Sequence, residues 1–140
     1  MVLLIIDVNT VPKIYPTPSS DHVPLYRAIA SNKAAVVYGG KLRIEYLRLN
    51  WFRRILRGLD QRGAARLCKD APVDQEARRL RRQAALRSND EHILALAIVS
   101  TARVLCSDDN ALCEDFKDRN ILPPPRGKIY RRASHDALLR

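Results

Sequence analysis

The run Val2-Leu3-Leu4-Ile5-Ile6 constrains this chain more than any other segment, because it has no polar face and stops abruptly at Asp7. Five consecutive β-branched and leucine residues read as a strand covered on both sides, the pattern of a parallel sheet. It is expected to be the central strand. Beyond Asp7 the chain alternates between helical and extended patterns. Ser20 or Asp21 can cap a short helix running to about Ser31, Ala34 to Tyr38 makes a second strand closed by Gly39-Gly40, and a long helix is predicted from about Lys41 to Leu56. A turn and a short helix are expected between Gly58 and Pro72, then a helix over Val73 to Arg87. Ser88-Asn89-Asp90-Glu91 has the spacing of a capping box ahead of the nearly all-apolar Ile93 to Val99 helix. Arg103 to Cys106 reads as a third core strand, Ala111 to Lys117 as a short helix, and 127–131 as a last strand behind Pro123-Pro124-Pro125.

Alternating strands and helices predict an α/β fold with parallel strands joined by right-handed crossovers. The division expected is one domain over 1–122 and a Pro-led basic tail over 123–140, for which order and disorder are both compatible with the composition. In such sheets sites form at the carboxyl ends of the strands. Asp7 and the pair Asp108-Asp109 fall there.

The charge is unevenly placed. Lys41 to Arg87 holds 14 basic and 5 acidic residues, whereas Ser88 to Asp118 holds 2 basic and 7 acidic, within a chain of formal charge +10. A basic half beside an acidic one suits a cation-holding site that receives a polyanion. Arg53, Arg54, Arg57, Arg78, Arg79, Arg81 and Arg82 are candidate phosphate contacts, a solvated helix face being the plain alternative. Trp51 and Phe52 are read as core. Three cysteines without paired spacing argue against a disulfide framework or a zinc site and fit a reducing cytoplasm. The opening apolar run is too short to span a membrane, so neither leader nor anchor is expected.

Asp7 closes a buried strand, Asp90 opens the buried helix, and Asp109 follows the third strand. Glu45 falls at helical phase in the apolar arc of Leu49, Phe52, Leu56 and Leu59, where a carboxylate needs a cation; Arg48 is one candidate through an i,i+3 pair. Each acid has an ordinary explanation as a cap or ion-pair partner. Together they would repel one another unless a hard divalent ion such as Mg²⁺ or Mn²⁺ joined them. Such a site suits phosphodiester hydrolysis with no protein nucleophile.

Leu3-Leu4-Ile5-Ile6-Asp7-Val8-Asn9, Glu45, the stretch Ser88 to Ala97, and Leu105-Cys106-Ser107-Asp108-Asp109-Asn110-Ala111-Leu112 resemble the successive motifs of PIN-domain nucleases. The resemblance covers about residues 1–117. It implies that Asp7, Glu45, Asp90 and Asp109, with Asp108 the competitor for the fourth place, bind Mg²⁺ or Mn²⁺, and that Asn9 and Ser107 orient them. It further implies a three-layer α/β/α sandwich around a mostly parallel sheet, RNA as substrate, frequent homodimers, and, for the many small members that are toxins, an antitoxin partner. Ser107 where threonine is commoner, the doubled aspartate and the Arg-rich middle depart from the family pattern. Two other readings stand beside an endoribonuclease. One is a PIN-like RNA-binding or regulatory module without catalysis. The other is a phosphotransferase using Asp7 as nucleophile, for which Asn9 lacks the proton a second acid would supply. His92 is read as a surface residue of the first helical turn.

Overall fold

A computed structural model describes residues 1–140. Its sheet has five strands, β1 (Val2–Ile6), β2 (Ala34–Tyr38), β3 (Ala65–Leu67), β4 (Val104–Cys106) and β5 (Lys128–Tyr130), in the order β3-β2-β1-β4-β5. Every pairing is parallel. The expected α/β/α sandwich is therefore present, and its sheet is wholly rather than mostly parallel. Leu4, Ile5 and Ile6 are buried, as are all five residues of β2. Central strands with helices on both faces leave no solvated side, which is why these two segments carry no alternation of apolar and polar residues.

Six α-helices connect the strands: α1 (Val23–Ala30), α2 (Gly40–Arg48), α3 (Asn50–Gln61), α4 (Asp70–Gln83), α5 (Glu91–Ser100) and α6 (Asn110–Lys117). None is long and apolar enough to cross a membrane. From β1 the chain steps outward to β2 and β3, then returns past β1 to β4 and β5, so the direction of winding reverses between β1 and β4. A doubly wound sheet opens its crevice at that reversal, above the strand carboxyl ends.

The helix expected over Lys41 to Leu56 is two helices, broken at Leu49, whose backbone is extended (φ −85°, ψ 90°). Neither Gly nor Pro causes the break. Tyr46 and Phe52 are both buried and meet edge-to-face at 5.4 Å between ring centroids. On one continuous helix two residues six apart point about 120° away from each other. The break lets both rings reach one core. Trp51 lies about 100° round α3 from Phe52, outside the buried Phe52, Leu56 and Leu59 face, and is 44% exposed where the sequence reading put it inside.

The short helix expected between Gly58 and Pro72 is absent. α3 continues to Gln61, and the chain then enters β3, an edge strand in which only Ala65 is buried. α4 begins at Asp70 and ends at Gln83, earlier at both ends than expected, with Pro72 accommodated in the first turn, where a helix lacks amide bonds anyway. The tail adds β5 to the sheet, and a 3-10 segment over Ala133–Leu139 brings Leu139 into the core beside α1. The three cysteines are free thiols.

Candidate functional site

β1 and β4 pair with Ile6 opposite Cys106, and the Asp7 amide donates to the Cys106 carbonyl at 3.0 Å. This register sets Asp7 beside Ser107. The Ser107 hydroxyl donates to Asp7 Oδ2 at 2.9 Å and accepts the Asp109 amide at 3.1 Å. One small buried hydroxyl thus fixes acids from two strand ends. Asn9, expected to share that work, is exposed in the 3-10 turn that follows β1.

Asp109 sits at the N-cap of α6, with Oδ1 accepting the Leu112 amide at 3.1 Å. Asp108 points elsewhere and forms an ion pair with Lys13. That contact, followed by the more distant Lys13 and Arg131 charges, holds the Asp108 carboxyl below its ordinary range despite some burial. Of the doubled aspartates, Asp109 is the one whose charge Asp7 feels.

Glu45 arrives on α2, which leaves β2 through Gly39-Gly40. A side chain on Gly39 would come within 2.7 Å of the Cys68 carbonyl oxygen, and Gly40 has a left-handed backbone (φ +56°). These two glycines allow the sharp turn from strand into helix. α2 then packs against α4 and α5, and the buried Tyr46 hydroxyl donates to the Ile6 carbonyl directly beneath Asp7. The side chain bonded to Glu45 is not Arg48. His92 Nε2 lies 2.9 Å from Glu45 Oε1, and His92 is buried at 7% exposure rather than lying on the surface. The His92 hydrogen bond lowers the Glu45 carboxyl and outweighs burial, with smaller help from Lys41 and Arg48.

Asp90 is the residue before α5, and its side chain makes no capping bond. The expected capping box does not form. Ser88 is engaged by Asp115, and Glu91 lies 3.5 Å from the guanidinium of Arg81. A helix N-terminus favours a negative charge nearby. Here the net shift is nevertheless upward: burial is the largest cause, His92 opposes it, and the charges of Asp7, Asp109 and Glu45 add to it. Asp7 behaves alike, raised first by burial, relieved by the Ser107 bond, and raised further by Glu45 and Asp109. The charges of Glu45 and Asp109 thus reach both Asp7 and Asp90. No three Asp, Glu, His or Cys side chains are arranged as a ready-made metal cage. The donor atoms of these four acids are all hard oxygens, the type that Mg²⁺ and Mn²⁺ take.

Sequence reasoning passed over Asp115. This α6 carboxylate is fully buried and accepts the Arg87 amide at 3.0 Å, the Ser88 amide at 2.9 Å, the Ser88 hydroxyl at 2.8 Å and the Arg87 guanidinium at 3.2 Å. The Ser88 hydroxyl in turn accepts the Asp90 amide at 3.3 Å. Asp115 thereby clamps the loop that delivers Asp90. The signal was present in α6, where Leu112, Asp115 and Phe116 share a helical face.

The candidate phosphate contacts spread over two helices. Arg54, Arg57, Arg78 and Arg82 are exposed, Arg53 donates to the Leu47 carbonyl, Arg79 pairs with Glu76 and Arg81 with Glu91. No family model, curated protein or solved structure matches the chain.

Proposed function

We propose that the protein is a metal-dependent nuclease of PIN-like type that hydrolyses phosphodiester bonds in RNA. One observation carries this reading. Asp7 and Asp90, from distant segments, are both raised by burial and then by the charges of neighbouring acids, Asp109 and Glu45 among them, with no lysine or arginine paired to either. Uncompensated negative charge of this kind is expensive unless a divalent cation shares it. Asp7, Asp90 and Asp109 would hold Mg²⁺ or Mn²⁺, with Glu45 released from His92 to join them. A bound divalent ion supplies Lewis acidity toward the scissile phosphate and makes water nucleophilic near neutral pH.

The chain's own residues would do the rest. Ser107 keeps Asp7 and Asp109 in register, Asp115 holds the Asp90 loop, and His92 keeps Glu45 ionised. The experiment is RNA cleavage by purified protein with Mg²⁺ or Mn²⁺. Cleavage by the parent, with loss of at least a hundredfold in folded Asp7→Asn and Asp90→Asn, is the expected result. Full activity in both variants removes this site from the chemistry.

A second reading, an RNA-binding module without catalysis, is favoured by the Glu45–His92 bond and by the lack of a ready-made cage. It requires RNA binding with no detectable divalent-cation binding. On either reading the partners proposed are RNA and, if the protein acts as a toxin, an antitoxin; a homodimer and a cytoplasmic location belong to the same proposal.

A further inference from the structure

Beside the acids, a cavity of about 460 Å³ opens between α6 and the edge strand β5. Its walls combine two chemistries. Lys117, Arg126, Lys128, Arg131 and His135 supply cationic or ionisable groups, Ile129 and Leu138 supply apolar surface, and no Asp or Glu lines it. Lys117 is shared with the exposed Glu114, whereas Arg126, Lys128 and Arg131 make no ion pair.

The cavity is built rather than incidental. Gly127 packs so closely on α6 that an added Cβ would meet the Phe116 carbonyl oxygen at 2.1 Å. Arg126 Nε donates to the Lys117 carbonyl at 3.1 Å across the same wall. Arg131 is held more firmly still, with Nε donating to the Ser107 carbonyl at 3.1 Å and Nη2 donating to Asn110 Oδ1 at 2.8 Å. Ser107 is also the residue whose hydroxyl binds Asp7. Arg131 thus ties the cavity to the residue that holds Asp7.

We propose that this cavity seats one nucleotide of a single-stranded nucleic acid whose adjoining phosphodiester lies at the acid cluster. Cations and an apolar wall in one cavity suit a ligand with a flat base and anionic phosphates, and a strand leaving the cavity past Arg131 runs directly to Asp7. This deepens the nuclease reading and rests on it for the direction of the strand. It moves the principal contacts away from the arginines of α3 and α4 and onto the β5 edge, because the cavity on α3, lined by Ile55, Gly58 and Leu59 with Tyr15 and Tyr26, takes in none of those arginines.

The test measures binding of a fluorescein-labelled single-stranded RNA of about a dozen nucleotides by anisotropy, in EDTA, with the Asp7→Asn protein, so that neither cleavage nor metal enters. The double variant Arg126→Glu, Lys128→Glu is expected to lose affinity tenfold or more. Its log-log salt slope should shrink by about 1.4, since each lost phosphate contact to a single strand removes about 0.7. Its melting temperature should fall by no more than about 5 °C, because both residues are exposed and only the Arg126–Lys117 bond is lost. The pair Arg53→Glu, Arg54→Glu should cost clearly less. Equal loss from the two pairs would assign binding to net charge alone, and undiminished binding in the β5 pair would remove the cavity; either overturns the proposal. So would inorganic phosphate or AMP binding as tightly as the strand, or a polyglutamate peptide displacing RNA at equal concentration, which would point to an acidic protein partner. Failure of the nuclease reading looks different: the strand binds as described and the parent with Mn²⁺ leaves it uncut.

Discussion

Replacing Asp115 by alanine tests whether a carboxylate far from the acid cluster organises it. The side chain is fully buried and accepts two backbone amides, one hydroxyl and one guanidinium. Alanine would take the carboxylate acceptor from the half-buried Ser88 amide and hydroxyl, a loss of about 2–3 kcal/mol, while the exposed Arg87 turns to water and Asp118. It would also leave a void where the carboxylate was. For a chain of this length each kcal/mol moves the midpoint by roughly 3 °C, so the melting temperature should fall by about 6–9 °C. Ser88→Ala removes one hydroxyl bond and the acceptor of the Asp90 amide, and should cost about 1–2 kcal/mol. Thermal unfolding followed by circular dichroism measures both, and urea titration with an unchanged m-value would show that the unfolded state is not the cause. Amide exchange at Asp90 should speed up in either variant. An Asp115→Ala protein melting within about 1 °C of the parent, with Asp90 exchange unaltered, would refute the clamp.

Two further outcomes rest on the electrostatics. In EDTA at neutral pH, Asp7→Asn should raise the melting temperature, because the native state holds the Asp7 carboxyl above its ordinary pKa. A raised native pKa means the native state binds the proton more tightly, so parent stability recovers as pH falls through that raised value, and the advantage of the variant should vanish below the ordinary carboxylate range. Glu45 has the opposite sign: its carboxyl is lowered by His92, and the stability it contributes is lost as pH falls through that lowered value. His92→Ala should therefore cost roughly 1.5 kcal/mol at pH 7, about 3–6 °C, and move the Glu45 titration upward when read by NMR. An unshifted Glu45 titration would show that the 2.9 Å bond is not kept in solution.

The sheet was legible because its central strands are covered on both faces and their sequences carry no alternation; Val2–Ile6 and Ala34–Tyr38 announce themselves. Asp7 was legible for the same reason, as a polar residue ending an apolar run, whereas Asp108 and Asp109 are rivals in the sequence and the Lys13 ion pair of Asp108 separates them. β3 was not, since an edge strand with one buried residue, Ala65, has no hydrophobic signature. The break at Leu49 depends on two rings, Tyr46 and Phe52, converging on one core, and no residue at the break itself marks it. Trp51 was misread independently of the break, since it lies about 100° round α3 from Phe52, outside the buried face. His92 could have been found. α5 is apolar all round, and a polar residue in such a helix is carried inside with the rest, where it needs a partner. The Asp90 capping box failed for a reason outside its own motif: Asp115, 27 residues beyond Ser88, competes for the same hydroxyl.

The most direct test of the central claim is a Mn²⁺ soak of crystals of the protein, located by anomalous scattering. The expected result is one or two manganese ions bound by oxygens of Asp7, Asp90 and Asp109, with Glu45 turned from His92 toward them. Manganese absent from this cluster at millimolar concentration, with Glu45 still on His92, would contradict it.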